Sequence, residues 1–163
     1  MLNRTTDDWE RLRELPALLK ELPHLAAGLG FTFYSFRYTS PPYELHSENL
    51  LPGGRRIVQA ALDFRPPYLQ SSDIPLLWEP KTFAKGPALW SQARELGLCH
   101  GWLQPVHQGV IRSCLALLRP HVSMSITELY EKAAGVMWLT ERLHLAAGRD
   151  AAVRSKSISL GLG

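Results

Sequence analysis

Asp63, Arg55 and Trp78 carry the side chains whose chemistry would matter most in a binding protein. A carboxylate facing a pocket accepts an amide N–H in a charge-assisted hydrogen bond, one of the stronger kinds. Asp63 offers that, or it is a solvated aspartate ending a short helix. Arg55 either lies solvated on a helix, or it fills a cavity and meets an acidic ligand. Trp78 closes a Pro75-x-x-Trp78 unit, and its large ring serves equally as core or as the wall of a pocket. Catalytic chemistry has less behind it. His24, His46, His100, His107, His121 and His144 show no metal spacing and no evident pairing with a nucleophile. Cys99 and Cys114 lack a Cys/His cluster and read as small buried hydrophobes. Ser113, beside Cys114, lies in an apolar run that favours a structural role. No glycine-rich loop fits a phosphate cradle. The chain reads as a binding module, not an enzyme, with no cofactor and no metal.

The elements that must position these residues follow from periodicity and punctuation. Residues 7–28 have an apolar face at helical spacing, with Asp7 and Asp8 at the positive end of the helix. Pro16 and Pro23 fall inside this pattern and predict a kink or two shorter helices. Phe31 to Tyr38 alternates and is rich in aromatics, which predicts a strand, and residues 43–51 a second one. Short helices are expected over 55–62 and from Pro66-Pro67. A longer one is expected over 87–96, with Pro87 at its start and Gly97 just past its end. Residues 101–107 and 110–118 read as a hairpin turning at Gln108-Gly109. The second arm is almost continuously apolar, so it belongs in the middle of the sheet. Ser125-x-x-Glu128 is a capping box opening a long helix to about Ala147. Its apolar face holds Leu129, Ala133, Val136, Met137, Leu143 and Ala147. From Gly148 the composition reads as a linker or tail.

A chain of 163 residues fits one domain, and 45% apolar residues is enough for a real core. The net charge of +3 is mild and the basic residues are scattered, which argues against direct DNA binding. No apolar run reaches the roughly 20 residues needed to span a bilayer. Two unclustered cysteines and no signal peptide point to the cytoplasm.

Ile74 to Pro105 holds a more specific order. Pro75-x-x-Trp78 is followed by a helix, then by Ala93, Gly97, Leu98 and Gly101 in an Ala-x-x-x-Gly-Leu-x-x-Gly turn, then by a strand with Pro105 four residues on. This order resembles the N-terminal signal-binding domain of LuxR-type transcription regulators, the receptors for acyl-homoserine lactones. The resemblance covers roughly residues 7–147. It implies an α+β fold, a three-layer α/β/α sandwich with a central antiparallel sheet. Periodicity alone supports only α+β.

The resemblance also implies a ligand held between the sheet and one helical layer. Its expected lining is Leu51, Arg55, Gln59, Asp63, Trp78, Leu89, Leu98 and Leu115, with Cys114 as the neighbouring alternative on the last strand. Several of these depart from the family pattern. Leu51 and Arg55 stand where the family has the Tyr and Trp of a Tyr-Pro-x-x-Trp unit, and Gln59 where it has a further Tyr. Phe64 follows Asp63 in place of proline, although Asp63 keeps the twelve-residue interval to Pro75. A degenerate lactone pocket is therefore expected, as in an orphan quorum-sensing and virulence regulator. The alternatives are a signal-independent dimerisation or protein-interaction scaffold, and a GAF- or PAS-like sensor of another small molecule. The family pattern further implies a homodimer, often through the long helix; Trp138 and Leu145, left off its main apolar face, form a second apolar stripe that is either this interface or covered by neighbouring helices of the same domain. The pattern implies DNA contact only through a C-terminal helix-turn-helix domain outside this chain, with residues 148–163 leading toward it.

Overall fold

The structure, a computed structural model, describes residues 14–159. Asp7, Asp8, Trp9 and Leu12 of the predicted first helix lie outside the described residues. Within them the chain runs α1 (Leu15–Gly28), β1 (Phe33–Ser40), β2 (Tyr43–Glu48), α2 (Gly54–Asp63), β3 (Leu76–Trp78), α3 (Pro87–Glu95), β4 (His100–Gln108), β5 (Ile111–Arg119) and α4 (Ile126–Ser159). Two short 3-10 turns, Pro67–Leu69 and Pro80–Phe83, flank β3.

Helix α1 is continuous over Leu15–Gly28, so the prolines do not divide it there. Pro16 falls in the first turn, where a missing N–H costs nothing. Pro23 is interior, but Leu18, Leu22 and Ala26 bury one face around it and hold the helix on the sheet.

The sheet order is β2-β1-β5-β4-β3, with every neighbouring pair antiparallel. The apolar strand β5 is central, as its composition requires. The β4–β5 hairpin turns over Gly109 and Val110, because Gln108 pairs directly with Ile111. Gly109 takes a φ of 65°, a conformation glycine adopts without strain.

Side chains alternate across the pleat and build two cores. On one face Phe36, Tyr38, Trp102, Leu115 and Leu117 meet α1 and α4. On the other Leu103, Cys114, Ala116 and Leu118 meet α2, α3 and the 3-10 turns through Ile57, Ala61, Phe83 and Ala93. The result is a three-layer α/β/α sandwich.

Helix α4 corrects two expectations. Its buried face is Val136, Leu139, Thr140, Leu143, Ala146 and Ala147, a regular helical stripe. Leu139 is thus core, whereas Met137 is 53% exposed. The helix also continues past its expected end at Ala147 to Ser159. Tyr43 Oη donates to Asp150 Oδ2 at 2.7 Å, and Ala151 packs against the first core. These contacts offset the roughly 1 kcal/mol cost of Gly148 in a helix. At the other end Ser125 Oγ accepts the Glu128 N–H at 3.0 Å, as a capping box requires. The Glu128 carboxylate is engaged instead by Arg119 and Lys132.

Candidate functional site

A cleft lies between the sheet and α2. Its floor is polar because β1 alternates. Tyr34, Phe36 and Tyr38 point into the first core, which turns Ser35, Arg37 and Thr39 toward α2. Strand β5 adds Arg112 and Cys114, and β4 adds Pro105 and His107. The roof is Gln59, Leu62 and Asp63 of α2.

Two cavities occupy the cleft. The first, about 410 Å³, is bounded by Arg65 and Arg112, with Pro41 and Val110 also on its lining. The second, about 620 Å³, is bounded by His46, Arg55 and Arg56. Arg37, Gln59, Leu62, Asp63 and Cys114 line both. Arg37 Nη1 donates to Gln59 Oε1, tying floor to roof between them.

The polar groups are extensively paired. Arg37 also meets Glu44 Oε1 through Nε at 3.0 Å and Nη2 at 2.7 Å. That guanidinium, with His46 helping, holds the Glu44 carboxyl below its usual range. Gln59 Nε2 donates to Asp63 Oδ1 at 2.8 Å, and Arg55 Nε to Glu48 Oε1 at 2.8 Å. The buried Arg65 donates to the carbonyls of Leu62, Gln70 and Ser72 at 3.1, 3.3 and 3.5 Å. Burial pushes its pKa down. Burial likewise pushes the Cys114 thiol up to about 12, so it stays protonated.

The predicted lining residues divide. Arg55, Gln59 and Asp63 come together in the cleft. Leu51 is half exposed on the loop before α2. Trp78 is buried among Phe83 and its neighbours, its indole N–H spent on the Leu98 carbonyl at 2.7 Å. Leu98 is in the same core, and Leu89 packs against it. Leu115 points away, toward α1 and α4, while its neighbour Cys114 faces the cleft. One residue of register decides which side of a strand a residue serves. Arg37, Glu44, Arg65 and Arg112 were not singled out from the sequence. For Arg37 the available signal was the polar half of the alternating segment Phe33–Ser40, on a strand enclosed by helices on both sides; Glu44, Arg65 and Arg112 lie outside that segment.

On the opposite face the structure makes a pairing that sequence spacing does not show. Ser113 Oγ lies 2.6 Å from His144 Nδ1, and His144 Nε2 lies 2.9 Å from Gln108 Oε1. The serine is 4% exposed, and the third member is a neutral amide, which does not stabilise an imidazolium as a carboxylate does. Burial lowers the His144 pKa and favours the neutral ring. The chain of bonds pins α4 to the β4–β5 hairpin. Trp138 is half buried against the first core with Arg142 over its ring at 5.5 Å, and Leu145 is 44% exposed.

No protein-family model and no curated protein matches the sequence. Solved structures do match. The N-acylhomoserine lactone-dependent LuxR-family transcription factor CepR2 from Burkholderia cenocepacia superposes with a TM-score of 0.68 at 20% identity, over 89% of this chain and 94% of that one. The fold is that of the LuxR-type autoinducer-binding domain. A solution structure of Escherichia coli SdiA gives 0.69 at 21% identity, over 86% of this chain and 88% of that one. SdiA in complex with octanoyl-rac-glycerol gives 0.64 at 19% identity, over 91% of this chain and 68% of that one. The LuxR-type fold therefore accounts for nearly the whole described chain. Among the described residues no group of His, Cys, Asp and Glu is placed to hold a metal, and no helix is long and apolar enough to cross a membrane.

Proposed function

We propose that this chain is the signal-sensing regulatory domain of a LuxR-type quorum-sensing transcription regulator, with a degenerate acyl-homoserine lactone pocket. It works by binding, not catalysis. Residues 1–147 form the sensory unit, and 148–163, which carry on α4 as far as Ser159, lead toward a C-terminal helix-turn-helix domain that contacts DNA. The protein acts in the cytoplasm as a homodimer and serves a quorum-sensing or virulence programme.

The observation that carries this reading is the Arg37–Gln59 bridge across the cleft of a LuxR-type fold. An acyl chain needs a mostly apolar slot with a few fixed polar groups. Here a paired guanidinium and amide cross that space, and Leu51 and Arg55 stand at the positions where the resemblance implies aromatic anchors. Each ligand carbonyl left without a donor costs about 1–3 kcal/mol, or roughly ten- to a hundredfold in affinity.

Calorimetric titration with butanoyl-, octanoyl- and dodecanoyl-homoserine lactone tests the pocket. No submicromolar binding is expected, and submicromolar binding of any of the three would overturn the degenerate reading. The regulatory role is tested by fusing the chain to a LuxR-type helix-turn-helix domain. Reporter transcription that matches the isolated DNA-binding domain would count against it.

The scaffold alternative has one observation in its favour. Tyr130, Met137, Leu145 and Val153 are all exposed along α4.

A further inference from the structure

Charges around the first cavity do not balance. Its wall carries Arg37, Arg65 and Arg112, and one carboxylate, Asp63. His107 on the same wall is hydrogen-bonded to Asp73, Nδ1 to Oδ1, at 3.0 Å. Arg37 is matched by Glu44, which lies toward the second cavity. Asp63, bonded by the neutral Gln59 amide, keeps its charge and acts on Arg65 through space, which leaves one carboxylate facing both Arg65 and Arg112. Arg112 makes no ion pair among the described residues. Arg65 is only 8% exposed, yet its hydrogen-bond partners are neutral carbonyls, two of them at 3.3 Å or beyond. A guanidinium has five N–H donors in a planar fork. Three are used here, and the remaining two have no acceptor among the described residues.

Buried charges are ordinarily paired, because carbonyl dipoles replace lost hydration only in part. Here a buried cation adjoins an open space of about 410 Å³, with a second unpaired guanidinium on its rim. We propose that this cavity binds a small anionic molecule, its carboxylate or phosphate held by Arg65 and Arg112. The planar fork of Arg65 suits bidentate contact with either group. Arg112, exposed and on the same lining, supplies the second charge. Leu62, Pro105, Val110 and Cys114 give the ligand's body an apolar side. The anion's charge would offset the desolvation that depresses the Arg65 pKa. The inference rests on reading the domain as a sensor and names the class of signal.

The test uses three ring compounds that differ in charge: benzoate, phenyl phosphate and neutral benzamide. Each is titrated at 150 mM salt (roughly an 8 Å screening length), following the amide shifts of Gly109 and Val110 and the Arg65 Nε–H. At least one anion is expected to bind about tenfold more tightly than benzamide, and the carboxylate and phosphate arms show which head group is preferred. Arg112→Gln, at an exposed and unpaired position, is expected to remove that preference while the protein stays folded. Arg142→Gln on α4 is expected to leave it unchanged. The inference is overturned if no anion outbinds benzamide, or if the preference survives Arg112→Gln or vanishes with Arg142→Gln. The lactone titration separates the two readings. Lactone binding without anion preference sinks both, whereas absence of both kinds of binding sinks the anion site alone.

Discussion

Arg37 of β1 and Gln59 of α2 join the floor and roof of the cleft through one hydrogen bond, and the same Gln59 passes a second bond to Asp63. The pair divides the space between sheet and helix into two cavities. Replacing Gln59 with Leu removes the acceptor of Arg37 Nη1 and the donor to Asp63. The expected loss is about 1–2 kcal/mol, the cost of a partly buried donor left unmade. Urea unfolding of both proteins measures it. A variant as stable as the wild type would mean that the bridge is not formed in solution.

Gly101 in β4 is the least replaceable residue of the motif. Its φ is 141°, and a Cβ there would sit 1.9 Å from the Leu117 carbonyl oxygen. That neighbour is backbone in the central strand, so nothing nearby yields. Gly101→Ala is expected to cost at least about 3 kcal/mol or to abolish folding. Gly109→Ala meets nothing within 4 Å and should cost less, through its φ alone. Comparing the thermal transitions of the two variants checks the order.

Glu128 predicts an acid limb of stability. The Arg119 guanidinium, at 2.5 and 2.7 Å, holds its carboxyl down to about 2, with Lys132 adding to the effect and burial opposing it. The folded-state value lies below the unfolded one, so the contribution is complete above the ordinary range near 4.5. It is lost as pH falls from there through about 2. Solvent reaches the carboxylate, so the pH-dependent part is discounted to about 1–2 kcal/mol. Glu128→Gln should flatten this limb. It should also cost about 2–3 kcal/mol at neutral pH, because Arg119 is only 6% exposed and loses its counter-charge. Urea midpoints between pH 7 and pH 2 test both parts. An equally steep limb in the variant would assign it to another group.

Helix α4 is the expected homodimer surface. Tyr130, Met137 and Leu145 are exposed on it, and large apolar side chains grouped in this way mark contact sites. Met137→Glu and Leu145→Glu should shift a weak dimer toward monomer at unchanged thermal stability. Trp138→Ala should do the same at some cost to stability, since its ring also packs against the first core. Sedimentation equilibrium decides, and a wild-type chain monomeric at high micromolar concentration would reject the interface.

Local sequence was sufficient wherever short-range chemistry sets the structure. The apolar run of β5 placed it at the centre of the sheet, because only a strand covered on both faces tolerates such composition. Pro87 and Gly97 bracketed α3, and the order from Pro75 to Pro105 pointed to the fold that the solved structures share. Other features depended on what each residue meets across the fold. Cys114 and Leu115 are adjacent in sequence yet serve opposite layers, and the pleat assigns them once strand register is set. Helix α4 outlasts its composition because Asp150 meets Tyr43, 107 positions earlier in the chain. Ser113 and His144 pair across 31 positions, a contact no spacing rule reveals. The polar cleft itself arises because alternation in β1 turns Arg37 toward α2 while three aromatic side chains fill the opposite core. Residue types are local, but the solvent, charges and cavities that give them a role are made by contacts distant in sequence.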